Sequence, residues 1–319
     1  MKECTGHHKM AEIIDTVMIG AGPSALAAAV YTTREDIKTD IYEKAVVGGL
    51  AAITDQIDNY PGFPEGVSGM QLASDLEKQA KRFGANIKYG EVKSIKKEND
   101  YIILNIDGKD VFAKTVLIAT GSDYNKLGIP GEAEFYARGV HYCATCDGAF
   151  YRDQDIVVVG GGNSAIQEAI FLTRFAKKID LLVRSKIRAS EVLQKDLQKY
   201  VDSGQIVVHL ETKPLEIVGD EKGVSKILVE TSNGTEEIST NGAFIFIGLR
   251  PNTEFLQGSE IELDEVGLIK TNNKLETNVP GIFASGDVRS GATMQIASAV
   301  GEGASAALSI RHYLEASSL

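Results

Sequence analysis

Two stretches of this chain repeat one another. Val17 to Tyr31 reads VMIGAGPSALAAAVY, and Val157 to Phe171 reads VVVGGGNSAIQEAIF. Val17/Val157, Gly20/Gly160, Gly22/Gly162, Ser24/Ser164, Ala25/Ala165 and Ala29/Ala169 coincide, and Ile19/Val159 is conservative. Each copy runs from a short apolar stretch through G-x-G-x-x-A into an Ala-rich segment with helical apolar spacing. That is the strand-turn-helix context a dinucleotide-binding fingerprint needs. Two such units restrict the fold to the α/β class, with two Rossmann-like dinucleotide-binding domains.

Within each copy the small residues have separate duties. Gly20 and Gly160 permit the tight turn, while Gly22 and Gly162 let backbone N–H groups approach a pyrophosphate at the helix N-terminus. Ala25 and Ala165 keep the helix close to its strand. The second strand of each unit should end at a residue that reads the ribose. Thr39 to Glu43 is such a strand, and Glu43 falls about 20 residues beyond the glycines, placed to accept hydrogen bonds from ribose hydroxyls, which suits FAD. In the other unit the strand Ile179 to Val183 is followed by Arg184, Ser185, Lys186 and Arg188. A carboxylate there would repel a 2′-phosphate and a guanidinium neutralises it, so NADPH is favoured over NADH.

A chain of 319 residues exceeds the roughly 100–200 typical of one domain. Segments read as helix (Leu72 to Phe83) and strand (Ile87 to Tyr89, Ser94 to Ile95, Ile102 to Ile106, Val116 to Ile118) complete the first unit up to Ala119-Thr120-Gly121. Strands at Ile206 to Leu210, Ile227 to Thr231 and Ala243 to Ile247 then lead to the break Gly248-Leu249-Arg250-Pro251. Beyond it Ile282 to Asp287 reads as a buried strand and Gly-Asp turn, followed by a small-residue helix from Gln295 to Arg311. These supply the closing strand and helix that the first domain otherwise lacks. The expected arrangement is a discontinuous FAD domain, 1–118 and 248–319, with a nicotinamide-nucleotide domain, 119–247, inserted in it.

Composition narrows the function. The net charge of -11 argues against a general role on nucleic acid or anionic membrane. No apolar run approaches the ~18 residues of a membrane span. Nothing between Met1 and Asp15 looks like a secretion signal, so a cytoplasmic protein is expected. Three cysteines cannot build a disulfide framework, and a lone C-x-x-C in such a chain reads more readily as a redox pair.

That pair is Cys143-Ala144-Thr145-Cys146, followed by Asp147-Gly148 and placed just ahead of the second fingerprint. Two thiols so spaced can close a disulfide on a turn, and their surroundings can lower one thiol's pKa. Zinc is a competing reading. It needs two more ligands, which only Cys4, His7 and His8 in a terminal tail expected to fray could offer. No metal is expected; inert core cysteines are the other alternative. Asp147 is a candidate general acid for the thiolate that leaves a substrate disulfide, although Asp before Gly is also a common turn signal. His141 is the other possible proton donor and is expected to be structural.

Taken together, GAGPSA, Asn59-Tyr60-Pro61-Gly62-Phe63, Ala119-Thr120-Gly121, CATCDG, GGGNSA, Gly286-Asp287 and QIASAVGEG at Gln295 to Gly303 resemble the low-molecular-weight bacterial and archaeal thioredoxin reductases. The likeness runs from Thr16 to Leu314. It implies a homodimer in which NADPH reduces FAD, FAD reduces the cysteine pair, and the pair reduces thioredoxin or a thioredoxin-like protein. It also implies that the inserted domain rotates to offer nicotinamide and cysteines to the flavin in turn. Cys146 would face the flavin, Cys143 would attack thioredoxin, and Asp147 would be the acid. Cofactor contacts would come from Pro23 and Ser24, from Gly49, Leu50 and Asn59, from Ala119, Thr120 and Gly121, and from Gly286 and Asp287. Gln295, Ile296 and Ala297 would meet the isoalloxazine, and Asn163 and Ser164 would belong to the nicotinamide-nucleotide site.

The chain departs from the family pattern at three places. Ala25 stands where the family usually has Gly, and Leu50 where it has Gln. The H-R-R-x-x-x-R element for the 2′-phosphate is shortened to Val183-Arg184-Ser185-Lys186-Ile187-Arg188. A weakened NADPH preference is therefore expected. The alternatives are a reductase of the same fold fed by NADH or ferredoxin, and a flavin redox sensor that does not turn over.

Overall fold

The structure, a computed structural model, describes residues 12–54 and 57–317; Cys4, His7 and His8 lie outside them. The chain forms two compact units, Met1–Asp123 with Pro251–Leu319, and Tyr124–Arg250.

The first unit starts with β1 (Ile13–Ile19), buried on both faces towards its end, as a central parallel strand must be. Gly20 turns the chain at φ +90°, and a Cβ there would lie 2.6 Å from the Ala119 carbonyl oxygen, so only glycine fits. Helix α1 (Pro23–Arg34) follows with Gly22 as N-cap and proline at its first position, where no N–H is needed. β2 (Thr39–Glu43) pairs parallel with β1 and is buried throughout. After α2 (Gly49–Ala52) comes α3 (Gly69–Arg82), capped by Ser68, whose hydroxyl accepts from the Gln71 N–H. β3 (Asn86–Tyr89) extends the parallel sheet beyond β2.

β4 (Val92–Glu98), β5 (Tyr101–Ile106) and β6 (Lys109–Ile118) form an antiparallel meander. One edge of β6 lies on β1. Its other edge is shared: Lys109 to Ala113 pair with β5, and Val116 to Ile118 are left for a strand from the far end of the chain. β7 (Ser122–Tyr124) ends this part.

The second unit holds a parallel sheet of order β11-β10-β9-β15-β8. Its elements are β8 (Val140–His141), α4 (Ala144–Asp147), β9 (Asp155–Val159), α5 (Asn163–Leu172), β10 (Lys178–Leu182), α6 (Glu191–Asp202) and β11 (Ile206–His209). Then come β12 (Lys213–Asp220), β13 (Gly223–Thr231) and β14 (Gly234–Ser239), a separate antiparallel sheet, and β15 (Gly242–Ile245), which returns to the parallel one. Residues of β9 alternate between two cores. Ile156 and Val158 pack with Ile166 and Leu172 of α5, whereas Val157 and Val159 pack with Ile217, Ile227 and Val229 of the antiparallel sheet.

The chain re-enters the first unit after β16 (Leu249–Pro251). β17 (Ile282–Ala284) takes the vacant edge of β6, and α7 (Ile296–Ser317) lies on α1. The units divide a few residues later than the expected 118 and 247, because the segment after β6 stays tied to the first unit. Thr120 Oγ1 donates to the Asn252 carbonyl, Asn252 N–H donates to the Gly121 carbonyl, and Ser122 Oγ donates to the Asp287 carbonyl.

Candidate functional site

In the first unit the fingerprint turn, the end of β2 and the end of β6 converge. Glu43 is buried, and its two carboxylate oxygens accept from the N–H groups of Ala21 at 2.8 Å and Ala45 at 2.7 Å. The acid read from sequence thus also fixes the fingerprint turn, and each oxygen keeps a lone pair for a further donor. A cleft lies beside it, lined by Gly20, Glu43 and Thr120 and by Gly90, Asn252 and Phe255. The last three carry no motif that sequence reading could use, since they come from a loop and from the re-entering chain. A Cβ on Gly22 would meet nothing within 4 Å, so the space before the α1 N-terminus is open for a phosphate.

The remaining expected contacts of this unit fall into three groups. Gly49 follows a left-handed Gly48, whose N–H donates to the Ala21 carbonyl, and Leu50 is exposed. Asn59 Nδ2 donates to Gln295 Oε1 at 3.1 Å, which joins two residues far apart in the chain just before Ile296 and Ala297 open α7. Ser24 and Ser285 share a hydroxyl hydrogen bond of 2.6 Å, beside Gly286 at φ +73°. Ala25 is fully buried, and Ala119 N–H donates to the Ile19 carbonyl.

Asp287 is raised to about 6 by burial, with the Glu302 carboxylate adding to the effect. Glu302, which carried no expected role, accepts from Gly286 N–H at 2.8 Å and from Arg289 through both oxygens, at 3.1 and 2.6 Å. It thereby holds the Gly-Asp turn from the first turns of α7. These residues fit a flavin dinucleotide: open space at a helix N-terminus, a buried acid at the ribose position, and a partly protonated carboxyl able to donate as well as accept.

In the second unit Gly160 has φ +145°, and a Cβ there would lie 2.3 Å from the Phe246 carbonyl oxygen. Gly162 is the N-cap of α5, with nothing within 4 Å of a built Cβ. Ala165 is fully buried and Ser164 exposed. Asn163 turns its Oδ1 to the Ser190 N–H at 2.8 Å, so its side chain serves the neighbouring loop. That loop is also held by Arg188 N–H donating to the Gly161 carbonyl at 2.6 Å. The side chains of Arg184, Lys186 and Arg188 stand exposed around it.

Cys143 and Cys146 form a disulfide with Cα atoms 5.3 Å apart. Cys143 caps the short α4, where the Cys146 N–H points at its sulfur from 3.2 Å, a donor that favours the thiolate at that atom. No cluster of three ligating side chains occurs among the described residues, and Cys4, His7 and His8, which the zinc reading would need, lie outside them.

His141, expected from sequence to be structural, has its Nδ1 3.2 Å from Asp147 Oδ2 and its Nε2 2.6 Å from the Tyr151 hydroxyl. A histidine ending a two-residue strand that runs into the C-x-x-C turn was the available signal. On the other side Tyr142 stacks on Tyr124 and donates to the buried Glu132, which also accepts the N–H groups of Leu127 and Gly128.

Two dinucleotide-type sites and a C-x-x-C disulfide in one chain define a nucleotide-linked disulfide oxidoreductase. Residues 14–303 match the family described as pyridine nucleotide-disulphide oxidoreductase, and the chain belongs to that family. It is 42% identical over 308 residues to the thioredoxin reductase of Bacillus subtilis (strain 168), covering 95% of this chain and 96% of that one. The crystal structure of thioredoxin reductase from Streptococcus pyogenes MGAS5005 superposes with a TM-score of 0.90 at 40% identity, over 95% of this chain and 99% of that one. Thioredoxin reductase from Giardia duodenalis gives 0.89 at 30% identity, with the same coverage of 95% and 99%.

Proposed function

We propose that the chain is an FAD-dependent thioredoxin-disulfide reductase with NADPH as electron donor. The observation that carries this is the Cys143–Cys146 disulfide beside Asp147, in a chain that also has two dinucleotide-type sites. Its full-length likeness to proteins named thioredoxin reductase supports it.

Bound FAD supplies a two-electron carrier between a nicotinamide and a disulfide. The α1 N-terminus and Glu43 hold its pyrophosphate and ribose, and Gly286-Asp287 with Gln295, Ile296 and Ala297 hold the flavin half. Gly160, Gly162 and the α5 N-terminus take the nicotinamide nucleotide, with Arg184 and Arg188 at its 2′-phosphate. Cys146 receives the reducing equivalents, Cys143 attacks the thioredoxin disulfide, and Asp147 supplies the proton to the departing thiolate. The working form is a cytoplasmic homodimer, for which the family resemblance is the support. No helix of the described residues is long and apolar enough to cross a membrane.

Anaerobic titration of the purified protein with NADPH, NADH and reduced ferredoxin, followed at the flavin band, tests cofactor and donor together. NADPH is expected to bleach the flavin most readily; bleaching by ferredoxin alone would replace the donor. Cys143→Ser and Cys146→Ser are each expected to abolish thioredoxin reduction while the nucleotide still reduces the flavin. Thioredoxin turnover in either variant would mean that the electrons take another route.

A further inference from the structure

His141 is 7% exposed, on the strand that enters the cysteine turn, and its ring is fixed on every side. Phe244 of β15 stacks on it with centroids 5.1 Å apart, and Tyr151 meets it edge-on at 5.2 Å. Tyr151 is buried too, edge-on to Phe244 at 5.3 Å and seated on Gly242, where a Cβ would lie 2.4 Å from its ring. The result is a chain of three groups, Asp147 Oδ2 to His141 Nδ1 at 3.2 Å and His141 Nε2 to Tyr151 Oη at 2.6 Å. Its open end is the carboxylate next to Cys146.

We propose that His141 is a positioning residue for proton transfer at the cysteine pair, holding with Asp147 the proton that the departing thioredoxin thiolate receives, with Tyr151 securing the ring in both protonation states. This rests on Asp147 being the acid. When the imidazole is neutral, Nδ1–H donates to Asp147 and Nε2 accepts from the Tyr151 hydroxyl. When it is charged, both nitrogens donate and the tyrosine oxygen becomes the acceptor. A hydroxyl can do either, so the ring gains and loses a proton without leaving a buried polar atom unpaired. Burial, assisted by the charge of Asp147, raises the phenol's own pKa, so it takes part as a neutral group. Among the described residues the titratable groups interacting with the carboxylate and the ring are Tyr151 from the turn after α4 and Tyr136 from the segment before β8; Phe244 faces the ring from β15, and Cys146 precedes Asp147 in the chain.

The Cys143 thiolate attacks one sulfur of the thioredoxin disulfide, forming a mixed disulfide and breaking the thioredoxin S–S bond. Cys146 then attacks Cys143 as its thiolate, its own proton released to solvent, closing the Cys143–Cys146 bond and expelling the remaining thioredoxin thiolate. That thiolate takes the proton from the pair. Two electrons leave the cysteines and reduce one disulfide.

The test is stopped-flow reoxidation of holoenzyme, reduced beforehand with stoichiometric dithionite, by saturating oxidised thioredoxin across pH. A carboxylate alone loses its proton at lower pH than an imidazole does. His141→Gln is therefore expected to shift the falling limb of the profile to lower pH, with a rate loss on the order of ten- to hundredfold above neutrality. Tyr151→Phe, which removes one oxygen and keeps the packing, should move the limb the same way by less. In an Asp147→Asn background His141→Gln should have no further effect. An unshifted profile in both His141→Gln and Tyr151→Phe, or an equal loss with and without Asp147, would overturn the proposal and leave a packing role. An unchanged Asp147→Asn profile would remove the acid assignment and the proposal with it. A depressed Asp147→Asn profile beside an unshifted His141→Gln one would remove the proposal alone.

Discussion

Asp287 is the residue where cofactor binding and stability oppose one another. Burial, with the Glu302 carboxylate adding to it, disfavours the anion and pushes the Asp287 carboxyl from an ordinary 3.8 up to about 6. A raised folded pKa contributes stability that is complete below the unfolded value and is lost as pH climbs through the folded one. In flavin-free protein, Asp287→Asn should therefore match the parent at about pH 3 and exceed it increasingly up to about pH 6, by at most about 3 kcal/mol. Thermal melts at several pH values would show this, and a gap that fails to widen would contradict the assignment. The same variant should retain FAD less well. At the nucleotide loop, the proposed 2′-phosphate contact predicts that Arg188→Ala raises the Michaelis constant for NADPH by roughly tenfold and leaves that for NADH unchanged, since only NADPH carries that phosphate. Steady-state kinetics with both nucleotides would decide it; equal changes would exclude the role. Glu43 was legible because the fingerprint predicts an acid at one distance. Glu302, Tyr151 and the Asp147–His141 contact were not, because they depend on where side chains meet across strands and turns, which no spacing rule encodes.

Among the elements, β2 emerged from sequence with the limits the structure gives, since it is buried throughout and bounded by turn residues. β12 and β14 were missed. β14 is exposed over nearly its whole length, and β12 is interrupted by register shifts, so neither shows the alternation that marks a half-buried strand. Helix α7 was anticipated from its small residues, and the reason for them is the approach of α1. A Cβ on Gly303 would lie 2.1 Å from the Ser24 carbonyl oxygen and 3.2 Å from the Ala28 nitrogen, both backbone atoms that cannot swing aside. Gly303→Ala should force the helices apart and destabilise the first unit by about 1–3 kcal/mol. Because Ser24 follows the fingerprint turn, flavin retention should fall with it. An unaltered melting temperature would show that the helices have slack.

At the scale of the whole molecule, each unit contains its own sheet and its own apolar cores. The second unit's two cores use only residues between Tyr124 and Phe246. Residues 124–250 expressed alone should fold cooperatively, seen as a single sigmoidal denaturant transition, and bind nucleotide without flavin. A chain stopped after Arg250 should keep that unit but bind no FAD, because β17 and α7 are missing from the first. Flavin retention by the truncated chain would refute this. The shared edge of β6 has a consequence during synthesis, when the chain leaves the ribosome from its N-terminus. Val116 to Ile118 emerge early, but their neighbour Ile282 to Ala284 is made on the order of ten seconds later. Throughout that interval the inserted unit can already close, while the unit whose sequence flanks it waits with an open edge for the last part of the message to be read.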